Sequence, residues 1–148
     1  MKPTSRRWAL FLTYLSIAGG LWTASEWWEK GLAKKLGHAH ISPNGCYRVE
    51  TFAPFWVLPM MLHRKPDPNN DIPPKMLPSW SHPGFYRLYD NRSGELIGES
   101  HIYDLESASG TLYWGDKTIP KVIAGFIYIG PNLDGCIGDQ LERSIPKK

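Results

Sequence analysis

The chain has 148 residues, 42% of them hydrophobic and 21% charged, enough for one domain with a modest core. Its formal net charge of +3 sits at one end: all 14 acidic residues lie from Glu26 onward, and of the 17 Lys and Arg only Lys2, Arg6 and Arg7 precede it. The rest of the chain is therefore neutral, which argues against nucleic acid as a partner.

Residues 1–7 form a short basic start. From Trp8 to Ala24 the chain carries no charge. As a helix this stretch spans roughly 25 Å, short of the ~30 Å hydrocarbon core of a bilayer, and Ser25–Trp28 can supply the rest. Trp8 at one end and Trp22, Trp27 and Trp28 at the other suit a membrane interface. Residues 8–28 are thus predicted to be a transmembrane or signal segment. An uncleaved anchor is favoured because the apolar character continues past Gly20; the alternative is a signal peptide cleaved near Ala18-Gly19-Gly20. No Cys follows the stretch, so it is not a bacterial lipoprotein signal.

Residues 29–41 read as a stalk, with the helical pattern running to Leu36 and ending at Gly37. Ser42-Pro43-Asn44-Gly45 is a turn. Cys46–Phe52 alternates as a strand, with Tyr47, Val49 and Thr51 on one face. Residues 63–83 hold six prolines and read as one long loop. Phe85–Tyr89, Asp90–Gly94 and Glu95–Ser100 form a hairpin around a Gly-containing turn. Ile102–Leu105 and Thr111–Trp114 are short strands. Val122–Ile129, apolar on both faces, reads as a central strand. The fold class is mainly β: an N-terminal transmembrane or signal-anchor helix, then one antiparallel β domain of five or six strands over 42–143, with a frayed tail at 144–148.

Cys46 and Cys136 bracket this domain without a CxxC motif. An even pair in an exported domain suggests a disulfide, against two unrelated buried thiols. The pairing fits a position outside the cytoplasm.

No residue pattern points to catalysis, a cofactor or a metal. His38 and His40 share a strand face, yet no third ligand stands at a diagnostic spacing. There is no GxSxG, no selected carboxylate pair and no phosphate loop. Surface recognition remains. The loop 63–83 carries Trp80 and Met76 beside Asp67 and Asp71, the mixture of aromatic anchor and charge common at protein interfaces. The competing reading has Trp80 packing the loop onto the sheet.

Three runs, Ser42–Glu50, Pro83–Ser100 and Ile127–Asn132, carry a resemblance. They are similar to an uncharacterised family of small, membrane-anchored proteins of Gram-negative bacteria associated with type VI secretion loci. The resemblance covers roughly residues 42–136, in turns and strands rather than catalytic motifs. It implies a periplasmic immunity protein, fixed in the inner membrane through residues 8–28, that occludes a toxin acting on cell wall or lipid. The alternative is an envelope scaffold or accessory subunit of a membrane complex.

Overall fold

A computed structural model describes residues 3–69 and 71–136. Helix α1 spans Pro3–Gly31. Its Ala- and Leu-rich body favours helix, Lys30 lies in its last turn and Gly31 ends it. The expected tail at 144–148 and the expected domain boundary at 143 lie outside the described residues.

Among the described residues eight strands follow, in two antiparallel sheets. The first sheet runs β1 (Lys34–Ile41), β2 (Tyr47–Ala53), β3 (Pro83–Asp90) and β4 (Leu96–Glu99) in that order, with β5 (Tyr103–Asp104) paired to the start of β3. A single helical turn, α2 (Leu105–Ala108), leads to the second sheet of β6 (Leu112–Tyr113), β7 (Lys121–Ala124) and β8 (Ile127–Pro131).

Three expectations need correction. The stalk is not a helical continuation: helix stops at Gly31, and Lys34–Ile41 pairs with β2 as the sheet's edge. Gly37 lies in the irregularity between Leu36 and His40 rather than at a helix end. Lys34 and Lys35 suit an edge because charge there discourages pairing with another chain, and Lys35 Nζ reaches Glu50 Oε1 at 2.7 Å. Second, Val122–Ile129 is not one central strand. Gly125, with φ of 60°, reverses the chain, and Ala124 pairs with Ile127 across a two-residue turn. Eight strands therefore replace the expected five or six.

The third correction concerns the N-terminus. The segment 8–28 is helical, but no helix among the described residues is long and apolar enough to cross a membrane. Thr13, Tyr14, Ser16, Gly19, Gly20 and Thr23 dilute its apolar character. From Arg6 to Thr23 every side chain of α1 is nevertheless exposed, including Trp8, Phe11, Leu12, Leu15, Ile17 and Leu21.

The main core joins both sheets. Tyr47, Val49 and Leu88 of the first pack with Val122, Ile127 and Ile129 of the second, each at most 1% exposed. Each such aliphatic side chain contributes about 1.5–3 kcal/mol by leaving water. The sheets meet closely at Gly98, where a Cβ would lie 2.5 Å from the Ile129 carbonyl oxygen. Cys46 and Cys136 form the expected disulfide, which ties the start of β2 to the segment after β8. Near it the backbone N–H of Leu133 donates to the Tyr47 hydroxyl at 2.8 Å, and the Tyr47 ring stacks on Trp114.

A smaller core of Phe52, Trp80, Phe85 and Ile102, with Ala33 and Trp56 against it, lies at the helix end of the domain. There Lys30 Nζ donates to the Ser100 carbonyl at 3.0 Å and pairs with Glu99 at 3.1 Å. Arg87 donates to Glu99 and to the Lys30 carbonyl, its guanidinium lying 4.6 Å from the Phe52 ring centre. The last turns of α1 are thereby fixed to β3 and β4, while its first five turns stand clear of the domain.

Candidate functional site

The loop 63–83 is long but not loose. Lys65 and Lys75 exchange backbone hydrogen bonds at 3.2 and 3.1 Å, and Lys65 Nζ forms an ion pair with Asp104 of β5. Asp104, 3% exposed, also accepts hydrogen bonds from the backbone N–H groups of Ser81 and His82 at 3.0 and 2.9 Å. Burial alone would raise its carboxyl pKa. The Lys65 ammonium and the two N–H donors outweigh burial and hold it well below the usual carboxylate range.

The four loop residues singled out from sequence divide. Trp80 turns inward, packs with Phe52, Phe85 and Ile102, and lies 5.7 Å from the Trp56 ring. Asp67 is half-buried and, with Trp80, lines a cleft of about 480 Å³ between the loop and the C-terminal half of α1. Met76 and Asp71 are exposed and are not among its walls. Exposed apolar side chains continue along this lobe at Phe55, Val57, Met61, Leu62, Met76 and Leu77.

At the floor of the cleft lies a pair that sequence reasoning missed. Glu29 of α1 has no exposed surface. Its Oε1 accepts from the Val57 N–H at 3.3 Å and faces His63 Nε2 at 3.0 Å, and the Leu58 N–H also supports the carboxylate. Burial raises the Glu29 pKa above the ordinary carboxylate value, against the opposing pull of His63 and the Val57 N–H. His63 in turn packs on Trp56, with ring centres 4.5 Å apart. Glu29 and His63 lie on different elements far apart in the chain, and no spacing rule links them.

A second missed feature is Phe126. It follows Gly125 in the tight turn and is 79% exposed. The turn beneath it is held firmly: the Gly125 N–H donates to the Thr111 carbonyl and the Phe126 N–H to the Ala108 carbonyl. A Cβ on Gly125 would lie 2.6 Å from the Gly110 nitrogen. A large ring on a rigid tip loses little freedom when a partner buries it. The Gly-X pair between two apolar runs was the signal that could have revealed it.

Among the described residues, no three His, Cys, Asp or Glu side chains are grouped to hold a metal ion. His38 and His40 are exposed residues of the edge strand. No family model matches this chain, and neither the curated proteins nor the solved structures contain a match to it.

Proposed function

We propose that this chain is a tethered binding protein: α1 seats its apolar stretch at a membrane, and the disulfide-closed β domain, held outside the cytoplasm, neutralises a type VI secretion effector by occluding it. One observation carries the tether. A helix that exposes Trp8, Leu10, Phe11, Leu12, Leu15, Ile17 and Leu21 stands bare from Arg6 to Thr23 while its last two turns are locked to the domain. Water disfavours such a surface. The hydroxyls of Thr13, Ser16 and Thr23 donate to carbonyls one turn back, at 2.9, 2.9 and 3.0 Å, which spares them the cost of entering an apolar phase.

The Cys46–Cys136 bridge supports an oxidising compartment. The exposed apolar lobe around Met61, Met76 and Leu77, and the rigid Phe126 tip, support recognition of a protein surface. The resemblance of the turn and strand motifs to proteins of type VI secretion loci favours a toxin as that partner.

The test is binding of the full chain, in a membrane mimic, to the effector encoded beside its gene. A complex at micromolar concentration or tighter is expected. Failure to bind, with the chain instead co-purifying in a multi-subunit membrane complex, would replace the immunity reading with an envelope scaffold. The exposed apolar side chains of α1 and its small residues Ser16, Gly19 and Gly20 suit helix packing of that kind.

A further inference from the structure

The cleft between α1 and the loop has a chemistry that protein occlusion does not use. Trp22, Trp56, Trp80 and Tyr103 supply aromatic surface, and Glu26, Glu29, Asp67, His63, Arg64 and His101 supply polar groups. Its volume of about 480 Å³ falls in the ~300–1,000 Å³ range of small-molecule sites. Glu29 Oε2, His63 Nε2 and Trp80 Nε1 are buried behind the wall, so the side chains open to a ligand are those of Trp22, Glu26, Arg64, Asp67 and His101. Together they offer acceptors, donors and indole surface.

The lining selects among ligand classes. An anion would meet Glu26 and Asp67. A simple ammonium would use those carboxylates but sit beside the Arg64 guanidinium. A hydrocarbon would bury the carboxylates dry. A polyhydroxylated ring answers all three objections. Its C–H face lies on indole surface, and each hydroxyl both donates and accepts, matching a wall that offers both functions.

We infer that the cleft binds a neutral carbohydrate of one or two pyranose rings, stacked on indole surface and hydrogen-bonded by the acidic and His side chains. This ligand is separate from the protein partner proposed above, and loss of either binding leaves the other standing.

The experiment titrates the full chain, in lipid nanodiscs free of sugar headgroups, with cellobiose, maltose and N,N′-diacetylchitobiose. It reads calorimetric heat and NMR saturation transfer, with choline as the cationic comparison. At least one disaccharide is expected to saturate at millimolar concentration or tighter. Trp22→Ala, at an exposed position that leaves both cores intact, should weaken it about tenfold, and Asp67→Asn should weaken it too. Phe126→Ala, remote from the cleft, should leave it unchanged. Saturation by choline with no disaccharide binding would overturn the inference in favour of an aromatic cage. Absence of saturation by all three sugars up to about 20 mM, which is binding weaker than ~2.3 kcal/mol, would overturn it outright, as would binding that Trp22→Ala and Asp67→Asn leave unaltered.

Discussion

Arg87 donates to the backbone carbonyl of Lys30 at 2.9 Å, so a strand of the first sheet caps the C-terminal end of the helix. The helix end carries partial negative charge and carbonyls without helical partners, which a guanidinium satisfies well. The same guanidinium binds Glu99 and lies over Phe52 and Phe85. Arg87 thus joins α1 to the β domain. Arg87→Ala should cost about 1.5–3 kcal/mol, the range for a charged hydrogen-bonding group. Arg87→Lys should recover only part, because an ammonium lacks the planar fork. Thermal melting, with limited proteolysis around residues 31–33, measures both; an unchanged melting point in Arg87→Ala would show that the helix is not fixed in this way.

Asp104 and Glu29 should give opposite pH dependence. Asp104 has a lowered pKa in the folded chain, so its contribution is present above the unfolded carboxylate value and is lost as pH falls through the folded value. Glu29 has a raised pKa, so its contribution is fullest below the unfolded value and is lost as pH rises through the folded one. Asp104→Asn should therefore destabilise at pH 7 and flatten the loss of stability in acid. Glu29→Gln should be better tolerated at pH 7 than Asp104→Asn, with a penalty that shrinks as pH rises. Melting curves across the acid range check the two slopes, and a common direction for both variants would refute this assignment.

The Cys46–Cys136 bridge closes a loop with a sequence separation of 90. Chain entropy assigns such a loop roughly 4–5 kcal/mol. Cys46→Ala with Cys136→Ala should lower the melting point substantially, and non-reducing mass spectrometry of the wild-type chain should show a mass two hydrogens below the dithiol. Both thiols found unbonded in freshly isolated material would contradict the structure.

Phe126 and Trp80 should separate binding from stability. Phe126→Ala removes an exposed ring and should cost about 2 kcal/mol or more of partner affinity, roughly thirtyfold, with little change in melting. Trp80→Ala opens a cavity between Phe52, Phe85 and Ile102 and should cost about 3–5 kcal/mol of stability. Affinity and melting measured on both variants decide; an unaltered affinity in Phe126→Ala removes the turn from the interface.

The legible parts of the fold were those with strong local signals. Tyr47 and Val49 alternate with polar neighbours and face the core, and Asp90–Gly94 turns β3 into β4 as its residues suggest. The edge strand was not legible: Lys34, Lys35, Gly37, His38 and His40 bury little, so no apolar period betrays it. Continuous apolarity from Val122 to Ile129 masked the turn at Gly125. Trp80 and Asp67 were noticed as loop residues, but the cleft they line depends on Glu29 and His63 meeting across elements. Such contacts come from tertiary packing rather than from sequence spacing.

The proposed neutralisation of a toxin outside the cytoplasm is open to a direct measurement in cells. A shortened chain should begin at Thr23, since Lys30 and β1 belong to the folded unit. Sent to the periplasm by a foreign signal, it should protect cells against the effector encoded beside its gene, while the same chain kept in the cytoplasm should not protect against toxin arriving from outside. Death of cells that hold the exported, folded and disulfide-bonded chain would contradict occlusion as its function.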